Sequence, residues 1–139
     1  MLEVLISHLG DVQFEAKARN HVIYSDQPVE NGGYDEGMTP PELLLASMGT
    51  CAGYYAVQYL NTHKLATPGL SIRVTAGKAS GPARLSQIRV SVAYPGSLDG
   101  RDREGLALAV RKCVIHNTLL HPPEIEIDIE SGAAAKIAA

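Results

Sequence analysis

Two cysteines among 139 residues are too few for the cross-linked framework of a secreted disulfide scaffold. No Lys/Arg cluster offsets a net charge of −3, so a phosphate-backbone partner is disfavoured and no nucleic acid is expected. Gly-rich phosphate loops, a Ser nucleophile elbow and a His-x-x-x-His pair are all missing, which removes the commonest nucleotide, hydrolase and metalloprotease readings. Met1-Leu2-Glu3-Val4 has no basic region and no cleavage pattern, so no signal peptide is expected and the expected location is cytoplasmic. Long uncharged runs are limited to one. From Leu43 to Asn61 the only ionisable side chains are Cys51 and three tyrosines. Gly49, Gly53, Gln58 and Asn61 dilute that run and basic flanks are absent, so no membrane span is expected. What remains, 45% hydrophobic and 19% charged, suits one globular domain over residues 1–139.

The uncharged run opens as a helix. Thr39 can cap the free backbone donors, Pro40 needs no donor at the first helical position, and Glu42 can reach back to the cap. Leu43, Leu44, Leu45, Met48, Ala52, Tyr54, Tyr55, Val57, Tyr59 and Leu60 place apolar groups on every face, so the helix is expected to be enclosed on all sides. Such a rod is hard to surround with one short chain. Pairing with a second copy, with Gly49-x-x-x-Gly53 allowing close approach, leads to an expected intimate homodimer.

Around the rod, Glu3–Leu9 and Val12–Lys17 read as strands joined at Gly10-Asp11, and Arg19–Asp26 as a third. Gln27–Met38 is a loop broken by Pro28, Gly32, Gly33 and Gly37. Leu70–Ala79 and Leu85–Tyr94 alternate as a second hairpin. Asp99 or Asp102 can cap a helix running to about Lys112, and Val114–Leu120 is a further short helix before Pro122-Pro123. Glu124–Glu130 alternates strictly, with Ile125, Ile127 and Ile129 on one face of an expected strand, and the small-residue tail Ser131–Ala139 reads as frayed. The sum is an α+β chain.

Cys51 lies midway along the rod, where small neighbours (Gly49, Thr50, Ala52, Gly53) leave room beside the sulfur. It is either core packing or a reactive thiol, and reactivity needs something that favours the thiolate. Cys113 follows Arg111-Lys112 and precedes Val114-Ile115-His116. Cys113, His116 and His121 give at most three metal ligands without the paired spacing of structural zinc sites, so no metal and no cofactor are expected. If the helices carrying the two cysteines share a core, an attacking thiol would lie beside a resolving one. Arg19 leads toward the loop before the rod; Arg73 and Arg89 sit among alternating strand residues, and Arg101, Arg103 and Arg111 read as helix surface.

With these residues in view, the chain resembles the OsmC/Ohr family of thiol-dependent peroxidases, in its OsmC-like branch. The likeness is carried by Ser25-Asp26-Gln27-Pro28, Gly32-Gly33, Gly37-Met38-Thr39-Pro40-Pro41-Glu42-Leu43-Leu44-Leu45, Gly49-Thr50-Cys51 and Cys113-Val114-Ile115-His116. The resemblance implies an OsmC-like fold with antiparallel sheets and two central helices, in an intertwined homodimer with the active site at the subunit interface. It implies that Cys51 attacks the peroxide, Cys113 resolves, and Arg19 activates the thiolate, with Glu42 and His116 as supporting residues. The family glutamate that follows the helix-opening proline aligns with Pro41, and Glu42 stands one residue later, about 100° further round a helix. The expected activity is reduction of organic hydroperoxides through a Cys51 sulfenic acid and a Cys51–Cys113 disulfide, returned by a dithiol reductant. Two other readings remain: a non-catalytic dimer binding a small apolar ligand, and a hydrolase with a Cys51–His116 dyad.

Overall fold

The computed structural model describes residues 1–132; the expected frayed tail falls, from residue 133 onward, outside the described residues. The chain divides into two compact units, residues 1–43 with the segment from Glu124, and residues 44–123. Among the described residues no helix is long and apolar enough to cross a membrane.

In the first unit, β1 (Leu5–Gly10), β2 (Gln13–Ala18) and β3 (His21–Ser25) form an antiparallel sheet in that order. The third strand starts two residues later than the sequence suggests. Arg19 has φ 54°, a left-handed turn conformation, and stands in the tight connection between β2 and β3. Ile6, Val22, Ile23 and Tyr24 of this sheet are all exposed.

The loop after β3 is organised by one carboxylate. Asp26 is buried and accepts hydrogen bonds from Gln13 Nε2 (3.1 Å) and from the backbone N–H groups of Gln27 (2.8 Å), Tyr34 (3.0 Å) and Glu36 (3.1 Å). The chain folds so tightly over it that a Cβ at Gly33 would sit 2.6 Å from Asp26 Oδ1 and collide with the Gln27 carbonyl. Burial pushes the Asp26 carboxyl up, but the Gln13 amide and the Glu36, Gln27 and Tyr34 N–H groups outweigh it and hold its pKa at about 2. Because the folded pKa lies below the ordinary carboxylate value of about 4, this stabilisation is whole above pH ~4 and is lost as pH falls through ~2. Melting of the parent and of Asp26→Asn between pH 4 and pH 2 checks this: the gap in thermal midpoint should narrow steadily on acidification. Curves that fall in parallel would refute it.

Glu124–Glu130 forms no strand, contrary to its alternation. Among the described residues no β-partner pairs with it, and Ile125, Ile127 and Ile129 are 82%, 83% and 91% exposed. Alternation marks a face, but a ladder also needs a neighbour to take its N–H and C=O groups.

Helix α1 (Pro40–Thr62) begins as expected: Glu42 Oε2 accepts from the Thr39 N–H (2.8 Å) and the Thr39 hydroxyl (2.9 Å). In the second unit it runs beside the antiparallel hairpin of β4 (Ser71–Ala79) and β5 (Arg84–Ala93), with α2 (Gly100–Val110) and α3 (Val114–Leu120) following. Asp99 supplies the α2 cap, accepting from Asp102 N–H at 2.7 Å. Enclosure of α1 on all sides is not what one chain achieves. Met48, Gly49, Ala52, Ala56 and Leu60 are buried along one stripe, while Leu44, Tyr54 and Gln58 are exposed. Gly49 and Gly53 face the sheet, not a second helix: added Cβ atoms would lie 3.1 Å from Val74 Cγ2 and 3.5 Å from Ile72 Cγ1. The core proper is Ala56, Leu60 and Leu106, packed round by Leu65, Leu70, Val92 and Tyr94 among others. Tyr59 adds a polar lock from α1 to α2, its hydroxyl donating to Asp102 Oδ1 at 3.1 Å.

Candidate functional site

The two cysteines belong to the second unit, and the fold brings them together. Cys51 is half-buried on α1; Cys113 is 1% exposed, at the N-cap of α3. Cys113 Sγ accepts the His116 N–H at 3.4 Å, and its thiol donates at 3.9 Å to the Met48 carbonyl oxygen, one helical turn before Cys51.

The two thiols are pushed in opposite directions. For Cys51, desolvation raises the pKa, but hydrogen bonds from the Cys113 thiol and from the Ile115 and Val114 N–H groups outweigh it, and the net shift is downward. For Cys113, desolvation and the hydrogen bond to Cys51 both raise it, and the His116 N–H opposes them only in part. Ionisation is thus eased at Cys51 and opposed at Cys113, an arrangement suited to attack by the first and resolution by the second. No charged side chain of residues 44–123 contributes to the Cys51 shift.

Of the other candidate residues, His116 acts through its backbone N–H on Cys113. Glu42 is tied to Thr39, whose backbone and side-chain hydrogen bonds lower its pKa. Arg19 is an exposed turn residue of the first unit. The contributions of the Val114 and Ile115 amides could not be read from residue types, since any residue but proline supplies the same donor.

An open groove of about 1030 Å³ runs between the β5 face and helices α2 and α3. Leu85, Val90, Leu106 and Leu119 make its walls apolar, Arg103 and Arg111 add two guanidinium groups, and it reaches Cys113 but not Cys51.

The fold and the chain's relatives agree. A family model described as OsmC-like protein matches residues 33–128. Similar structures include a candidate osmotic stress induced and detoxification response protein from Psychrobacter arcticus (22% identity, 85% of this chain and 88% of that one, TM-score 0.78). An OsmC-like protein from Mycoplasma pneumoniae is 19% identical over 88% of this chain and 89% of its own, with a TM-score of 0.72. An organic hydroperoxide resistance protein from Elizabethkingia anophelis is 18% identical over 85% and 86%, with a TM-score of 0.64. No curated protein matches the sequence. With the family model covering well over half of the chain, and an α+β architecture of antiparallel sheets and helices shared with these structures, the chain belongs to the OsmC-like protein family.

Proposed function

We propose that this protein is a thiol peroxidase that reduces organic hydroperoxides in oxidative-stress defence. The observation that carries the reading is the pair of adjoining, unequal thiols, Cys51 lowered and Cys113 raised. The Cys51 thiolate attacks the distal peroxide oxygen, the O–O bond breaks, and the alcohol leaves with a proton. Cys51 is then a sulfenic acid. The Cys113 thiol condenses with it, water departs, and a Cys51–Cys113 disulfide forms. A dithiol reductant returns both thiols and is itself oxidised to a disulfide. Arg19 stabilises charge on the leaving oxygen, Glu42 secures the start of α1, and His116 holds Cys113 in place.

The working unit in this proposal is a homodimer of single OsmC-like domains in the cytoplasm, where reduced dithiols are available. Its support is the apolar surface that one chain leaves open: Ile6, Val22 and Ile23 of the sheet, Leu44 and Tyr54 of α1, and the three isoleucines of Glu124–Glu130. Met48 and Tyr55, about one helical turn to either side of Cys51 on α1, are uncharged and favour an organic peroxide over hydrogen peroxide.

The groove favours a second reading, a module that binds an apolar ligand with both thiols as packing. Thiol titration separates the two. One equivalent of cumene hydroperoxide per chain should remove both thiols within seconds, and dithiothreitol should restore them. Thiols that persist for minutes under these conditions would leave the binding module as the better account.

A further inference from the structure

We infer that the groove between β5 and helices α2 and α3 is a binding site for a free long-chain carboxylate, its tail on the apolar walls and its head on a guanidinium of α2. The site goes beyond both readings above, since it holds its ligand whether or not the thiols react. The groove lies wholly within residues 44–123 and measures about 1030 Å³, at the upper end of the roughly 300–1,000 Å³ usual for small-molecule sites. It reaches Cys113 but not Cys51, so an occupant lies apart from the attacking sulfur and is a ligand, not the peroxide.

The walls set the body of the occupant. Leu106 is buried, whereas Leu119 and Leu120, which α3 adds to the wall, are 42% and 63% exposed. Apolar groups gathered in a concave surface and left wet are stabilised when an alkyl chain covers them. Charge sets the head. Among the described residues, Arg103 and Arg111 are the only side chains of fixed charge that line the groove, and no carboxylate lines it to neutralise them. They are eight residues apart, about 12 Å along the helix axis, so each meets a head group singly while the tail lies on the walls. A guanidinium presents paired N–H donors that match the two oxygens of a carboxylate. The same two charges repel a cationic amphiphile and gain nothing from an uncharged one.

Isothermal titration of the full chain with decanoate tests this, with decyltrimethylammonium as the probe that keeps the tail and reverses the charge. Decanoate should bind at one equivalent per chain with a Kd of about 50 μM or tighter, and the ammonium probe at least about tenfold more weakly. In the double variant Arg103→Gln/Arg111→Gln, decanoate should lose about tenfold and the two probes should draw together. Both arginines are exposed, and circular dichroism with the thermal midpoint shows that the variant is native. Run on Cys51→Ser, where no peroxide chemistry survives, the same titration stands or falls apart from the peroxidase reading. Equal affinity for the two probes overturns the inference, and so does a native double variant that binds decanoate as the parent does. Absence of saturable binding up to about 1 mM decanoate also overturns it, and sedimentation then shows whether the cause is a second copy closing the groove.

Discussion

Cys51→Ser is expected to reduce cumene hydroperoxide consumption at least about a thousandfold, to the level of buffer, because it removes the nucleophile and no other group can form the intermediate. A serine hydroxyl ionises far above neutral pH, so the donors that lower the Cys51 pKa cannot rescue it. Cys113 offers no second route: burial and its hydrogen bond to Cys51 keep it protonated, and it is 1% exposed. The companion variant separates attack from resolution. Cys113→Ser should consume one equivalent of peroxide per chain and then stop, leaving Cys51 as a sulfenic acid that dimedone traps. Since the hydroxyl still caps α3, that single turnover should run near the parent rate. A Cys51→Ser protein with parent activity ends the assignment; repeated turnover by Cys113→Ser would instead remove only the resolving role.

What could be read from residue types alone follows a physical line. Thr39, Pro40 and Glu42 announced the start of α1 because capping is local, decided within four residues. Alternation located β4 and β5 for the same reason. Which face of α1 is buried was not legible. Apolar groups lie all round it, and only the tertiary partner, the β4 face meeting Gly49 and Gly53, selects a stripe. The small residues that suggested a helix–helix seam serve a helix–sheet contact, since the absence of a side chain admits either neighbour. Glu124–Glu130 misled in the opposite direction. Its pattern satisfies a strand's side chains and says nothing about who completes its backbone.

The candidate site divides in the same way. Cys51 and Cys113 stand out as the only thiols, and their helices could be placed from caps and prolines. Their meeting, and the unequal push on their pKa values, depends on a buried sulfur cap and two main-chain amides. The residue pattern puts Arg19 at the start of a strand, yet its φ of 54° puts it in a turn, a distinction that β-propensity misses because long polar residues are tolerated in both. Asp26 carries more hydrogen bonds than any candidate residue, and the glycines at 33 and 37 were the available hint that the loop closes over something.

Leu60→Ala should damage the second unit severely, costing about 3 kcal/mol of stability and about 10 °C of thermal midpoint. Leu60 is 0% exposed and sits between Ala56 and Leu106, where α1 meets α2. The rigid surroundings set the size of the effect. Tyr59, next to it, is fixed by its hydrogen bond to Asp102 and lies against Gly105 so closely that a Cβ there would collide with its hydroxyl. With that lock in place α1 and α2 cannot slide together to fill the space left by an isobutyl group, so most of the void persists. Leu106→Ala opens the same contact from the other side and should cost a similar amount. The double variant should lose less than the sum, because the two side chains border one cavity. Urea unfolding of the four proteins measures this directly. Equal losses that add in full would mean that the two leucines occupy separate packing environments, and a loss below about 1 kcal/mol for Leu60→Ala would mean that the α1–α2 seam collapses freely despite the Tyr59 lock.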